Sequence, residues 1–170
     1  FDILLEAAKI LQKKSSKVKI VVLGRGTRKE KLLDRPVKNM QLQETVYPLG
    51  YRTDDYKEVL AMCDAGLMLV PGSDGSCRAA MQMAAMEKPL VVARRGVLPE
   101  IVSDRETGIV VKDTPENLAR ALLEMRRNHD KRISWGRAAQ KRMEKVFNLD
   151  KKTKDIINIY KYYAQNYKID

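Results

Sequence analysis

The stretch AGLMLVPGSDGSCRAAMQMAAMEKPLVVA, residues 65–93, contains two apolar runs separated by a loop and an alanine-rich segment. The runs AGLMLV (65–70) and PLVVA (89–93) are short and apolar throughout, which is typical of strands buried on both faces. The segment between them, from Ser76 to about Glu87, has the composition of a helix. Strand, helix and strand in this order predict a parallel pair joined by a right-handed crossover.

Outside this unit, apolar runs and helix-like periodicity continue to alternate along the chain. The alternation predicts an α/β protein with a Rossmann-like, doubly wound parallel sheet and C-terminal helices, in one domain over residues 1–170. The further strands are expected at residues 18–23, 45–49 and 108–111. The further long helices are expected at residues 1–11, 131–146 and 150–167.

Three helix ends are predicted from local residue types. A short helix over residues 29–33 is expected to finish before Pro36. Thr53 is expected to cap a helix that runs to about Cys63, and Thr114 to cap a helix that begins with Pro115.

The composition is that of a soluble globular protein, with 44% hydrophobic and 32% charged residues. It excludes collagen-like, disordered and disulfide-scaffold proteins. No apolar run is long enough to span a bilayer and no leader opens the sequence, so we expect a cytoplasmic protein with two reduced thiols, Cys63 and Cys77. The helical pattern that begins at Phe1 indicates a piece of a longer chain.

The net charge of +11 is unevenly distributed. Residues 112–170 carry 15 basic and 8 acidic side chains. Such a surplus suits a phosphorylated ligand, an anionic membrane or nucleic acid, although solvated helix faces explain it equally well. Nucleic acid is not expected, because the basic runs lack interleaved aromatic residues.

Four glycine-containing loops follow predicted strands, at residues 24–26, 50–52, 72–76 and 94–96. Because the carboxyl ends of parallel strands meet at one edge of a sheet, these loops predict an anion pocket suited to phosphates. The backbone N–H groups of Ser76, Cys77 and Arg78 are expected to open a helix beside this pocket and to bind a phosphate oxygen.

Two polar side chains accompany this helix. Asp74 precedes its start, where a carboxylate either caps the helix or reaches sugar hydroxyls. Gln82 lies two turns farther along and is either a ligand contact or a solvated amide. No metal site is expected, since His129 is the single histidine and neither cysteine has a metal-ligand spacing. No nucleophile-elbow or P-loop motif occurs.

The run VPGSDGSCRAAMQMAAMEKPLVVARRGVLPEIVSDRETGIVV, residues 70–111, resembles the C-terminal half of retaining, nucleotide-sugar-dependent glycosyltransferases of the GT-B fold, in the family 4 (group 1) class. In that class an acidic residue and a glycine open a helix, and a second acidic residue follows eight positions later. The resemblance extends over nearly the whole chain. The matching positions are Asp74, Gly75, Gln82, Ala84, Ala85, Lys88 and Pro89.

The resemblance implies the donor-binding domain of a hexosyltransferase-type enzyme. Such an enzyme moves a sugar from a UDP- or GDP-linked donor to an acceptor with retention, using neither a metal nor a separate cofactor. Asp74 would act in catalysis by holding hydroxyls of the sugar, Gln82 would contact the ribose, and the backbone of residues 75–78 would bind the diphosphate. The remaining positions would lie near the diphosphate or the nucleobase: Gly24, Gly26, Tyr51 and Arg52.

The sequence departs from the family pattern at three positions. Asp74 is one methylene shorter than the usual glutamate, and Gln82 lacks the charge of the usual second glutamate. Glu87 stands where the family often has glycine, so we expect the helix to end without a left-handed residue. Arg78 is an additional cation beside the predicted diphosphate.

The resemblance also implies partners. An N-terminal acceptor domain would precede this chain, the helix at residues 150–170 would pack on that domain, and the piece alone would be inactive. Peripheral contact with an anionic membrane is a further hypothesis. The alternatives are a GT-B-fold sugar-nucleotide epimerase, for which the chain lacks further acids and histidines, and a non-catalytic anion-binding module with a decayed site.

Overall fold

The computed structural model of the chain describes residues 1–14, 17–71 and 77–166. Its strands pair in parallel in two groups, one of two strands and one of three. The first group joins β1 (Ile20–Leu23) to β2 (Val46–Gly50). The second has the order β3 (Gly66–Met68), β4 (Leu90–Ala93) and β5 (Gly108–Val111). The predicted parallel strands are confirmed.

Helices separate and follow these strands, as the alternation predicts. They are α1 (Asp2–Lys13), α2 (Arg35–Asn39), α3 (Tyr56–Met62), α4 (Arg78–Ala85), α5 (Leu98–Ile101), α6 (Pro115–Arg127), α7 (His129–Val146) and α8 (Leu149–Asn166). The start of α6 is also as predicted, because the Thr114 hydroxyl accepts a hydrogen bond from the backbone N–H of Asn117 at 3.3 Å.

Two apolar cores cover the two faces of β4, in which every residue is buried. Val91 packs in the core that contains α1 and α6. Its neighbours Leu90 and Val92 face the other way, into the core that contains α4, α5 and α7. This alternation confirms the doubly wound arrangement and explains why β4 has no polar side chain.

The two strand groups do not join into one continuous sheet among the described residues. A cavity of about 920 Å³ lies between them, lined on one side by β1 and on the other by β3. β3 is three residues long and takes its ladder partner from β4 only, which leaves its opposite edge open to the cavity. The cavity therefore opens where a single sheet would have paired β1 with β3.

The helix around Pro36 is longer than predicted, and the expectation that it ends before Pro36 is wrong. A π-helical turn over Glu30–Asp34 leads directly into α2, in which Pro36 lies in the first turn. Pro36 has no N–H to bond back into this turn, and the helix continues through it with that one backbone hydrogen bond missing. An ion pair between Lys29 and Asp34 at 2.7 Å spans the π-helical turn.

The start of α4 also differs from the prediction. α4 begins at Arg78, and Cys77 before it has a left-handed backbone with φ of 51°. A residue with positive φ cannot continue a right-handed helix, so the helix starts two residues later than Ser76. The Cys77 carbonyl oxygen accepts the first bonds of the helix, from the N–H groups of Ala80 at 2.8 Å and Met81 at 3.2 Å.

The end of α4 contradicts the expectation for Glu87. Glu87 adopts a left-handed backbone with φ of 58°, although it is not glycine. The Lys88 N–H bonds to the Met83 carbonyl at 3.1 Å, and the Glu87 N–H bonds to the Ala84 carbonyl at 3.1 Å. These two bonds form a Schellman motif, which satisfies the last carbonyls of the helix and outweighs the steric cost of positive φ.

Because this cost is present in the folded chain, Glu87→Gly is expected to stabilise the protein. Removing the Cβ should raise the free energy of unfolding by about 1 kcal/mol in urea denaturation. Glu87→Ala is the control, since it removes the exposed carboxylate and keeps the Cβ, and it should change the free energy little. Equal stabilisation by both variants would show that the charge, and not the backbone, is responsible.

Candidate functional site

Five of the residues predicted for the site lie together on the wall of the 920 Å³ cavity. They come from the ends of β1 and β2 and from the first two turns of α4. This is the edge of the sheet at which ligands bind in open α/β folds. The five residues are Gly24, Tyr51, Arg52, Arg78 and Gln82.

Of the other predicted positions, Gly26 and Cys77 are described, and neither lies on this wall. Gly26 lines a neighbouring cavity of about 330 Å³, which shares Gly24 with the larger one. The Cys77 side chain is buried and its thiol donates to the Pro71 carbonyl at 3.1 Å, so a role for this residue rests on its backbone alone. Three positions lie outside the described residues, and their roles stay predictions: Asp74, Gly75 and Ser76.

The glycine turns after β1 and β2 are joined to each other. The Gly24 N–H donates to the Gly50 carbonyl at 2.8 Å, and both glycines have positive φ, of 134° and 74°. A Cβ added at Gly24 would meet no atom within 4 Å. The backbone therefore turns here with open space above it, which a ligand can approach closely.

Arg25, which the sequence analysis did not single out, stands over the ring of Tyr51. Its guanidinium carbon lies 4.4 Å from the ring centroid, a cation–π contact between the two glycine turns. The sequence feature that could have predicted this pair is the presence of Gly-Arg-Gly and Gly-Tyr-Arg directly after two predicted strands. The structure shows that these two strands are adjacent. The contact places a positive charge over an exposed aromatic ring that lines the cavity.

Arg52 is held by a carboxylate close in sequence. Its Nε donates to Asp55 Oδ1 at 2.7 Å, and its Nη2 donates to Asp55 Oδ2. The hydrogen bond from Arg52 lowers the pKa of the Asp55 carboxyl, and the same bond raises the pKa of Arg52. Arg52 therefore keeps its charge and a fixed orientation, and any ligand must share it with Asp55.

The predicted cap at Thr53 is wrong. The Thr53 hydroxyl donates to the Asp54 carboxylate at 3.0 Å, and α3 begins at Tyr56 with Asp55 as the residue before it. Because the Thr53 hydroxyl is bound to Asp54 and the Asp55 carboxylate to Arg52, neither side chain caps α3.

Gln82 has a partner that the sequence did not indicate. The hydroxyl of Tyr56, at the start of α3, donates to Gln82 Oε1 at 2.9 Å. Partial burial raises the pKa of the Tyr56 phenol, so it is protonated near neutral pH and available as a donor. The bond links α3 to α4 across the wall of the cavity, where both residues lie.

The cavity wall is strongly basic. Asp64 is the single carboxylate among the described residues that line it, and it lies 3.5 Å from Arg132. The excess of positive charge makes the cavity suitable for an anionic ligand, with Arg52 and Arg78 at the carboxyl ends of the strands and the other basic residues at the opposite end of the cavity. The basic residues on the wall are Lys17, Lys19, Arg52, Arg78, Arg126 and Arg132.

Two features are absent from the described part of the chain, a cluster of metal ligands and a membrane-spanning helix. In residues 1–14, 17–71 and 77–166, no three His, Cys, Asp or Glu side chains converge as metal ligands would. Over the same residues, no helix combines the length and the apolar character needed to cross a bilayer. Both cysteines are free thiols.

Solved structures share this fold at low sequence identity. HepE from Anabaena in complex with UDP is 21% identical, with a TM-score of 0.79, 95% of this chain being covered and 44% of that one. A TarM mutant from S. aureus, solved with UDP, is 19% identical, with a TM-score of 0.81 and coverages of 94% and 32%. Sucrose-phosphate synthase from Thermosynechococcus elongatus is 17% identical, with a TM-score of 0.78 and coverages of 96% and 43%.

The chain therefore spans less than half the length of each of these three structures. No curated protein matches its sequence significantly. The sequence profile described as glycosyl transferases group 1 matches residues 1–142. The match confirms the resemblance seen in residues 70–111, and the similar structures confirm the Rossmann-like GT-B architecture. By this match, the chain belongs to the group 1 glycosyl transferases.

Proposed function

We propose that this chain is the donor-binding domain of a retaining glycosyltransferase and that the 920 Å³ cavity holds the nucleotide diphosphate part of the donor. The observation that carries the proposal is the convergence of five predicted residues, Arg52 and Arg78 among them, on the part of the cavity wall at the carboxyl ends of the strands. Two structures of HepE, similar in fold to this chain, contain UDP or UDP-glucose. A UDP- or GDP-linked hexose suits this size and charge.

The residues have distinct roles in this proposal. Asp74 holds hydroxyls of the donor sugar, and Gln82 contacts the ribose. Tyr51 and Arg52 border the nucleobase. The diphosphate lies between the first glycine turn and the start of α4, near Gly24, Gly26 and the backbone of residues 75–78.

The chemistry follows from this placement. The bond between the anomeric carbon and the diphosphate oxygen breaks, and a bond from the anomeric carbon to an acceptor hydroxyl oxygen forms as that hydroxyl passes its proton to the leaving diphosphate oxygen. The diphosphate leaves with the electron pair. We propose that the positive end of α4 and the cations of the wall, Arg78 among them, stabilise this charge without a metal.

The acceptor would be bound by a second, N-terminal domain, and α8 marks the surface that such a domain would cover. No side chain of α8 is buried, although its apolar residues recur on one face at helical spacing. The structures of HepE, TarM and sucrose-phosphate synthase are more than twice as long as this chain, which leaves room for such a domain. The exposed apolar residues include Ile156, Ile159, Tyr160 and Tyr163.

A second candidate is a non-catalytic module of the cytoplasm that docks on anionic surfaces such as membranes. The observations that favour it are the basic surplus of residues 112–170 and three lysines of α8 that lie away from its apolar face, Lys151, Lys154 and Lys161. In this alternative, Asp74 and Gln82 mark a donor site that no longer works.

Calorimetry with UDP, GDP and ADP tests the proposal. We expect weak, saturable binding of one nucleotide by this chain, with a preference for its base, and no sugar transfer. Gln82→Ala should weaken binding roughly 3- to 10-fold, as expected for the loss of one hydrogen bond. Gln43→Ala removes an exposed glutamine outside the cavity and should have no effect.

Two results would contradict the proposal. Binding that depends on salt but not on the base, and that Gln82→Ala leaves unchanged, would favour the anion-docking module. Turnover of a nucleotide-sugar by this chain alone would show that no second domain is needed.

A further inference from the structure

The Tyr56–Gln82 pair is a side-chain hydrogen bond between α3 and α4 on the cavity wall. The residues are 26 positions apart in the chain, and the hydroxyl-to-oxygen distance is 2.9 Å. Gln82 is exposed, so no packing fixes its amide, and the bond from Tyr56 determines which way the amide points.

The direction of this bond decides what Gln82 can offer a ligand. The phenol donates its proton and the amide oxygen accepts it. An amide group is planar, so fixing Oε1 on Tyr56 leaves Nε2, with its two N–H donors, on the other side. A carboxylate at this position would only accept hydrogen bonds, whereas Gln82 held in this way presents donors to the cavity.

Ribose hydroxyls suit such a group. Each hydroxyl oxygen has lone pairs that accept a bond from an amide N–H, and its own proton stays available for another acceptor. An amide already held by Tyr56 also loses less conformational freedom when the sugar binds than an exposed, unheld glutamine would.

We propose that Tyr56 is a positioning residue that orients the Gln82 amide toward the ribose, so that the site distinguishes ribonucleotides from nucleotides lacking the 2′ and 3′ hydroxyls. This inference rests on the proposed function, because it needs a nucleotide in the cavity. It adds a residue and a source of specificity that the sequence pattern does not contain.

The test compares two ligands in calorimetry. These are the best-binding nucleoside diphosphate among UDP, GDP and ADP, and its 2′,3′-dideoxy analogue. Tyr56→Phe removes only the hydroxyl, and we expect it to weaken ribonucleotide binding about fivefold, as loss of one hydrogen bond predicts. Binding of the dideoxy analogue should change less than about twofold, because it has no hydroxyl for the amide to meet.

The double variant Tyr56→Phe/Gln82→Ala completes the experiment. If Tyr56 acts through Gln82, the double variant should bind the ribonucleotide no more weakly than Gln82→Ala alone. Tyr47→Phe is the matched control, because Tyr47 also donates its hydroxyl to a protein oxygen, at 3.2 Å, but lies outside the cavity.

The outcomes separate the two proposals. If the wild-type chain binds a nucleotide but Tyr56→Phe weakens both ligands equally, or adds its effect to that of Gln82→Ala, the positioning role is overturned and the donor site stands. If the wild-type chain binds no nucleotide, the proposed function fails and this inference fails with it.

Discussion

Gly108→Ala is expected to destabilise the fold by about 3 kcal/mol, because an alanine at this position would need space that the backbone of β4 occupies. Gly108 is the residue of β5 in register with Leu90. A Cβ built on Gly108 would lie 2.8 Å from the Leu90 nitrogen, 2.9 Å from its carbonyl carbon and closer still to its oxygen. These are main-chain atoms of a fully buried strand, so no side-chain rotation can relieve the clash.

Urea denaturation of the purified variants measures this effect. Gly26→Ala is the control, since a Cβ there would meet nothing within 4 Å and the residue lies in an exposed turn. The control should change the free energy of unfolding by less than about 0.5 kcal/mol. Equal stability of Gly108→Ala and the wild type would mean that β4 and β5 are farther apart than the structure has them.

Gly136→Ala is expected to be destabilising although it replaces glycine by the best helix-forming residue. In an exposed helix the change would gain about 1 kcal/mol. Gly136 is buried in α7, however, and its added Cβ would lie 2.8 Å from the Glu87 carbonyl carbon and closer to the oxygen. We expect a net loss of about 2 kcal/mol, because α7 must move away from the end of α4.

Thermal and urea denaturation of Gly136→Ala should be compared with Ser134→Ala, an exposed position on the same helix. Ser134→Ala should stabilise slightly, by up to about 0.5 kcal/mol, and thus have the opposite sign. The clash would also disturb α4, which carries Arg78 and Gln82 of the candidate site. α7 and α4 are joined here, because the Gln140 side chain on α7 donates to the Ala85 carbonyl at the end of α4 at 3.0 Å. Stabilisation by Gly136→Ala would refute this close packing.

The positions of the strands and their burial on both faces could be predicted, because one physical rule decides both. Runs such as LVVA at residues 90–93 are apolar at every position, and only a strand covered on both faces buries every side chain of such a run. The Thr114 cap is equally local, since its hydroxyl and the N–H that it satisfies are three residues apart.

The helix ends that were predicted wrongly depend on energies that residue type alone does not reveal. Glu87 has an unfavourable residue type for positive φ, but two backbone bonds outweigh that preference. Pro36 lies in a helix that continues from the π-helical turn, although its ring gives up one backbone hydrogen bond. In both cases the hydrogen bonds of neighbouring residues decide the conformation.

The proximity of the predicted residues followed from the sequence, whereas their pairings did not, and their roles stay predictions. The carboxyl ends of parallel strands must meet at one edge, which is why Gly24, Tyr51 and Gln82 share a wall. The contacts of Arg25 with Tyr51 and of Tyr56 with Gln82 depend on the distances between elements far apart in sequence. No periodicity or motif in the sequence predicts those distances.

The central claim is that a nucleotide diphosphate binds in the cavity at the carboxyl ends of β1 and β2. Backbone amide NMR of the chain, titrated with the preferred nucleotide, tests it most directly. We predict saturable shifts of the amide signals of Gly24, Tyr51 and Gln82 and of residues 74–78, with the signals of α8 unchanged at high salt. Shifts confined to α8 and the other basic surfaces, or shifts that salt abolishes, would contradict the claim.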